Sequence, residues 1–203
     1  MTPQYSANMD SSSSSAATIR IWELLALAVS LVALAGSLYL SMGMKLKACP
    51  LCLYERTFMM GLVGVLLMGL MRSGDARPGF SVLLGLPLAV SGLCVAAFHV
   101  FLELTDVLEC PLGLFGIGTA PQQSLVAFLI VTVLIGVALA RCSKGAAWIM
   151  TCLGAIVLGV LFSGAAIKSA PPLPKPPSEP YTTPMEGCRP IFIEISQAAD
   201  SQP

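Results

Sequence analysis

The chain has 203 residues, of which 56% are hydrophobic and 11% are charged, and its formal net charge is zero. Soluble domains carry about 25% charged residues, so this composition favours a protein that is solvated by lipid. A net charge of zero gives no electrostatic support for nucleic-acid binding, and we exclude that class of function.

The chain begins with a polar segment, residues 1–20, that contains five consecutive serines. This composition predicts a disordered lead. The length of the segment and its lack of basic residues before Arg20 argue against a cleaved signal peptide, so we expect the first helix to remain as an anchor.

Five stretches then lack any Asp, Glu, Lys or Arg: 24–44, 57–71, 78–102, 110–140 and 145–167. About 20 apolar residues are needed to cross about 30 Å of hydrocarbon, and four of the stretches are long enough as they stand. The stretch 57–71 spans only roughly 23 Å as a helix, so its helix should begin earlier, near Pro50. Buried helices of a soluble bundle would need polar faces that these segments lack. We therefore predict an all-α membrane domain over residues 21–167, with five crossings.

Five crossings place the first linker, the third linker and the C-terminal tail on the same side of the membrane. Those three segments hold four of the seven cysteines: Cys49, Cys52, Cys110 and Cys188. Of the others, Cys94 and Cys152 lie within helices and are expected to pack as small apolar residues. Cys142 lies in a linker on the opposite side and is expected to be an idle thiol.

The sequence indicates less directly how the protein is oriented in the membrane. The basic residues divide five against six between the two sides, so their distribution decides nothing. The third linker is acidic, with Glu103, Asp106 and Glu109 and no basic residue. We place it outside, in an oxidising compartment where cysteine pairs persist, with the N-terminus in the cytoplasm.

The tail, residues 168–203, contains the sequence APPLPKPPSEP over residues 170–180. Such a segment forms a semi-rigid polyproline II spacer, which could carry Cys188 roughly 30 Å from the fifth helix. It could direct Cys188 back over the bundle or out toward a partner, and a disordered tail with an incidental cysteine is the alternative. Residues 191–195 carry a weak strand pattern.

Cys49 and Cys52 form a C-x-x-C pair, which can make a reversible disulfide or half of a metal site. Pro50 suits the first position of a helix, so Cys49 should lie at the helix N-terminus, where a thiolate is stabilised. Arg56 would lie near the membrane–water boundary, at the depth of a quinone head group. There it could bind a quinone oxygen, or it could simply anchor the helix in the interface.

Residues 49–56, Cys-Pro-Leu-Cys-Leu-Tyr-Glu-Arg, closely resemble the C-x-x-C-x-Y-E-R signature of the DsbB family. Residues 115–122, Phe-Gly-Ile-Gly-Thr-Ala-Pro-Gln, resemble the stretch after that family's second periplasmic loop. The resemblance implies a four-helix bundle in the bacterial inner membrane that reoxidises a periplasmic DsbA-like thiol oxidase and reduces ubiquinone or menaquinone. It also implies that Cys49 receives the electrons, that Cys52 faces the quinone and that Arg56 binds it.

Two features depart from the family. This chain has a predicted fifth crossing, and its second periplasmic loop holds only Cys110 where the family has two cysteines. We propose that Cys188, on the added periplasmic tail, replaces the missing cysteine and pairs with Cys110. The expected catalytic residues are therefore Cys49, Cys52, Cys110 and Cys188, with Arg56 in the quinone site.

Alternatives remain open at this point. The same four cysteines could hold zinc or Cu(I), which would make a metal-binding membrane protein, and a non-catalytic assembly factor is a third class. His99 could be functional or could make an ordinary interhelical hydrogen bond, which we favour. Gln122 and Gln123 could orient a quinone or cap the fourth helix.

Overall fold

The computed structural model describes residues 3–72, 79–142, 145–177 and 179–192, with side chains from residue 17 onward. These parts form five α-helices and one antiparallel pair of two-residue strands. The helices are α1 (Pro3–Met42), α2 (Pro50–Met71), α3 (Phe80–Leu104), α4 (Ala120–Ala140) and α5 (Ala146–Ser169). The strands are β1 (Leu108–Glu109) and β2 (Arg189–Pro190), and a single 3-10 turn covers Leu114–Gly116.

All five helices are long and apolar enough to cross a membrane, α1 over Ala17–Met42. The predicted all-α architecture with a fifth helix is therefore confirmed. The second helix begins at Pro50, as its short apolar stretch required. The fourth begins only at Ala120, because Phe115, Gly116 and Gly118 adopt positive φ angles that no α-helix contains.

The N-terminal segment differs from the prediction. Helix α1 extends back to Pro3, so the expected disordered lead is wrong for residues 3–20. Once a helix has formed, each further residue that is ordered adds one hydrogen bond, so extending a helix is easier than starting one. The helix that forms in the apolar part of α1 can therefore extend into the polar segment. Of the linkers, residues 73–78 and 143–144 lie outside the described residues.

Helix α3 lies at the centre of the bundle and packs against α2, α4 and α5. The core between them includes Leu62, Val82, Phe128 and Ile135, all fully buried. Helix α5 lies against α3, where Ser91 Oγ donates a hydrogen bond to the Gly159 carbonyl at 3.0 Å. A Cβ at Gly159 would lie 2.8 Å from the Pro87 carbonyl oxygen, so glycine permits this close approach.

The tail returns over the end of the bundle, one of the two courses that its sequence allowed. Strand β2 pairs with β1, with Glu109 opposite Arg189. These two side chains form an ion pair, and the Arg189 guanidinium lies 3.8 Å from the centre of the Tyr181 ring. The strand predicted at residues 191–195 is wrong for residues 191 and 192, which lie outside any strand. Residues 193–195 lie outside the described residues.

A second attachment fixes the tail to the linker between α1 and α2. The backbone N–H of Lys47 donates to the Glu186 carbonyl at 2.5 Å, and the Lys47 ammonium lies 2.7 Å from the Glu186 carboxylate. The neighbouring Gly187 has no room for a side chain, because a Cβ there would lie 2.5 Å from the Lys47 carbonyl oxygen. Cys188 is thus held between two anchored segments.

Candidate functional site: two cysteine pairs around a buried histidine

The first cysteine pair is formed by the start of α2. Cys49 is the N-cap residue and Pro50 follows in the first turn, where its missing N–H costs no hydrogen bond. The Cys49 sulfur accepts a hydrogen bond from the Cys52 N–H at 3.2 Å, and the two sulfurs lie 2.8 Å apart as free thiols. The two sulfurs therefore lie within reach of each other.

The surroundings of Cys49 favour its thiolate. The hydrogen bond from the Cys52 thiol is the largest influence and lowers the pKa of Cys49, against the opposing effect of burial. The His99 imidazole and the Cys52 backbone N–H act in the same direction, and the resulting pKa is about 5. A thiolate is the nucleophilic form of cysteine, so Cys49 is activated for thiol–disulfide exchange.

The second cysteine pair joins the third linker to the tail. Cys110 and Cys188 form a disulfide that connects residues 78 positions apart, so the predicted pairing is present in the structure. Cys110 directly follows β1 and Cys188 directly precedes β2, so the strand pairing brings the two residues together. Cys110 is buried, whereas Cys188 is half-buried.

His99, on α3, lies between the two pairs. Its Nε2 atom is 3.7 Å from the Cys49 sulfur, 3.6 Å from that of Cys110 and 3.5 Å from that of Cys188. Its Nδ1 atom is 2.9 Å from Oε1 of Glu55 on α2. The histidine side chain is fully buried and that of Glu55 is 7% exposed. The interhelical hydrogen bond favoured from the sequence is present, and the same ring also contacts three sulfurs.

Glu55 is the site residue that the sequence reasoning missed. A buried carboxylate within an apolar helix marks a functional site by default, and Glu55 lies one turn beyond Cys52. That signal was available in the sequence. The partner on α3 was not, because it depends on how the two helices pack.

A cavity of about 510 Å³ lies beside the first cysteine pair, between α1, α2 and α4. Its lining is mostly apolar, and its polar lining residues include Cys52, Arg56 and Gln123. The Arg56 guanidinium donates hydrogen bonds to Ser37 Oγ at 3.2 Å, to the Ser37 carbonyl at 3.0 Å and to Ser41 Oγ at 2.7 Å. Arg56 therefore bridges α2 to α1 on the cavity wall.

The remaining candidates have structural roles. Gln122 accepts a hydrogen bond from the Thr119 N–H at the start of α4, which is the predicted capping function. Gln123 bonds both backbone groups of Leu114 and so fixes the preceding loop. Cys94 and Cys152 pack against the core. At the opposite end of the bundle, burial raises the pKa of Cys142, in keeping with an idle thiol.

Comparison with known proteins identifies the family of this chain. The profile of the DsbB family, described as disulfide bond formation protein DsbB, matches residues 19–125. Disulfide bond formation protein C of Bacillus subtilis (strain 168) is 32% identical over 120 residues, which cover 52% of this chain and 83% of the relative. No solved structure matches. The family profile includes Cys49, Cys52, His99 and Cys110 but ends before α5 and Cys188. The chain thus belongs to the DsbB family of disulfide bond formation proteins and is a multi-pass, all-α membrane protein.

Proposed function

We propose that this protein is a dithiol:quinone oxidoreductase. It oxidises a periplasmic thioredoxin-fold partner of the DsbA kind and passes the electrons through its two cysteine pairs to a quinone. The observation that carries the proposal is the position of His99, whose Nε2 lies within 3.7 Å of sulfurs from both pairs. Because sulfurs from both pairs lie around the same imidazole nitrogen, disulfide exchange between the pairs needs no large movement of the helices.

The first exchange takes place at the tail. A thiolate of the partner attacks Cys188, forming a mixed disulfide and releasing Cys110 as the leaving thiolate. The partner's second thiolate then attacks its own sulfur in that bond, which releases an oxidised partner and a reduced Cys188. Attack at Cys188 is favoured because it is half-buried, whereas Cys110 is buried.

The second exchange links the two pairs. The Cys110 thiolate attacks Cys49 in an oxidised Cys49–Cys52 pair, and Cys52 leaves as a thiolate. Cys188 then attacks Cys110, which restores the Cys110–Cys188 disulfide and leaves Cys49 and Cys52 reduced. At that point the protein holds one disulfide and one dithiol, and the dithiol carries the two electrons for the quinone.

The cavity beside Cys52 fits a quinone head group. Its volume of about 510 Å³ lies within the usual range of ligand cavities, about 300–1,000 Å³. Arg56 would hold a quinone oxygen, and the apolar walls suit the ring and its tail. The quinone, ubiquinone or menaquinone, supplies a two-electron acceptor for the dithiol, which returns to the disulfide as two protons leave with the electrons.

His99 and Glu55 support the exchange by handling protons. With Nδ1 donating to the Glu55 carboxylate, Nε2 faces the sulfurs and can accept a proton from a thiol or return one to a leaving thiolate. The buried carboxylate stabilises the imidazolium that forms. This arrangement places one base in contact with both cysteine pairs.

The membrane and orientation belong to the same proposal. We place the protein in the bacterial inner membrane, with the N-terminus in the cytoplasm and both cysteine pairs on the periplasmic side. A disulfide between a loop and the tail is consistent with an oxidising compartment. Helix α5 then serves to return the chain to the side where Cys188 is needed.

The test is quinone reduction by the purified full-length protein with a reduced thioredoxin-fold dithiol protein as donor. We expect one quinol for each partner disulfide formed. Cys49→Ser and Cys52→Ser should each abolish quinol formation, whereas Cys152→Ser should not. Partner oxidation at the wild-type rate in either of the first two variants would contradict the relay.

A further inference from the structure

The same site brings together four side chains that could bind a metal ion. Four possible ligand atoms lie within 4.8 Å of one another: the sulfurs of Cys49, Cys52 and Cys188 and a ring nitrogen of His99. They come from the start of α2, from α3 and from the tail. Three thiolates and one imidazole make a Cys₃His set, which is a standard composition of structural zinc sites.

The distances already approach those of a tetrahedral zinc site. Zn–S bonds of about 2.3 Å and Zn–N bonds of about 2.0 Å, at tetrahedral angles, place sulfur and nitrogen about 3.5 Å apart. In the structure, His99 Nε2 lies 3.7 Å from the Cys49 sulfur and 3.5 Å from the Cys188 sulfur. The Cys49 and Cys52 sulfurs, at 2.8 Å, must separate to about 3.8 Å, and no two of the four ligand atoms are more than 4.8 Å apart.

The histidine is also oriented as a zinc ligand requires. Zinc-binding histidines usually donate their other ring N–H to a carboxylate, which fixes the ring and leaves the remaining nitrogen free to bind. Here Nδ1 lies 2.9 Å from Glu55 Oε1, and Nε2 faces the sulfurs. Glu55 therefore occupies the position of the supporting carboxylate.

We propose that the fully reduced protein binds one zinc ion through Cys49, Cys52, Cys188 and His99, and that the bound ion stops thiol exchange. The site forms only after a dithiol donates two electrons to the Cys110–Cys188 disulfide, because that bond otherwise occupies Cys188. Each thiol that binds the ion as a thiolate releases its proton. The three bound sulfurs are then unable to attack a disulfide. This site goes beyond the proposed oxidase activity and requires no quinone or partner.

The test is zinc binding by the full-length protein in detergent, reduced with a phosphine and titrated in competition with a chromophoric chelator. We expect one zinc per reduced chain and none in the protein that retains the Cys110–Cys188 disulfide. Cobalt(II) in place of zinc should give sulfur-to-metal charge-transfer absorption, which reports thiolate ligands directly. Equal zinc binding by the oxidised and reduced forms would overturn the proposal.

The variants separate the proposed ligands from their neighbours. Cys188→Ser should lose binding and Cys110→Ser should retain it, although both remove the same disulfide. Glu55→Gln should weaken binding about 10- to 100-fold, as expected for a supporting carboxylate. Cys142→Ser, in a distant linker, should bind as the wild type does. Wild-type zinc affinity in reduced Cys188→Ser would overturn the assignment. Because the titration contains no quinone, its failure would leave the proposed oxidase activity intact.

Discussion

His99 Nδ1 and Glu55 Oε1 lie 2.9 Å apart and connect α3 to α2 beneath the sulfurs of both cysteine pairs. Both side chains are largely shielded from water, since the histidine is fully buried and the glutamate nearly so. Such a pair persists in an apolar bundle only when each group satisfies the other. The contact explains how one imidazole can be held in place against three sulfurs that come from three different segments.

The first prediction concerns the pH dependence of Cys49. Its pKa is lowered from 9.0 to about 5, so its thiolate should persist down to about pH 5. The alkylation rate of Cys49, measured by mass spectrometry after short pulses of iodoacetamide, should stay nearly constant between pH 6 and 8 and fall below pH 5. A rate that rises tenfold per pH unit through neutrality would show an ordinary thiol.

The lowered pKa of Cys49 should also make the free energy of unfolding depend on pH. A group whose folded pKa is depressed contributes stability that is complete above its unfolded pKa and disappears as the pH falls through its folded pKa. For Cys49 this contribution should be present at pH 9 and should decrease progressively toward pH 5. Cys49→Ser, compared with the wild type by thermal unfolding in detergent, should lack this part of the dependence.

The second prediction concerns Arg56. The charged hydrogen bond that we propose between Arg56 and a quinone oxygen should contribute about 1.5–3 kcal/mol, so Arg56→Gln should weaken apparent quinone affinity roughly 10- to 100-fold. Exchange between the partner and the cysteine pairs should change little, because the hydrogen bonds of Arg56 go to Ser37 and Ser41 on α1. Quinone dependence that matches the wild type would assign Arg56 to helix anchoring alone.

The third prediction uses two glycines as a matched pair. Gly187→Ala should displace the tail, because the new Cβ would lie 2.5 Å from the Lys47 carbonyl. Cys188 should then move away from His99, and alkylation of Cys188 in the reduced protein should become several-fold faster. Gly164→Ala makes the same chemical change on α5 with no atom within 4 Å, and it should leave the rate unaltered. Equal rates in the two variants would show that the Lys47 contact does not position Cys188.

The fourth prediction concerns the order of attack. The Cys110→Ser variant is mixed with a partner that carries a single cysteine, and the mixture is mildly oxidised. We expect a mixed disulfide to be trapped at Cys188. The matched Cys188→Ser variant should trap much less, because Cys110 is buried. The products can be identified on non-reducing gels and by peptide mass. Efficient trapping at Cys110 alone would reverse the proposed order while preserving the disulfide itself.

The sequence predicted the parts of this protein that depend on composition and local pattern. The five apolar helices and the start of α2 at Pro50 follow from length and from the properties of proline. The pairing of Cys110 with Cys188 followed from counting crossings and from comparison with the family's cysteine pattern, which needs no packing detail. These are strong constraints because a membrane restricts where each segment can lie.

The remaining features depend on contacts between distant segments. Glu55 and His99 are 44 positions apart, and only the packing of α2 against α3 brings them together. The pairing of β1 with β2 involves two residues from each strand, too few to give a periodic pattern. The backward extension of α1 to Pro3 crosses a serine run, which lacks the apolar periodicity that predicts a helix.

The position of Cys188 beyond α5 also determines the order in which the protein matures. During synthesis Cys49, Cys52 and Cys110 emerge from the ribosome first, and Cys188 follows only after all five helices have been made. The Cys110–Cys188 disulfide therefore cannot close before α5 has been synthesised. A nascent copy that stalls before α5 would retain its C-x-x-C pair but lack Cys188, so it could not form this disulfide.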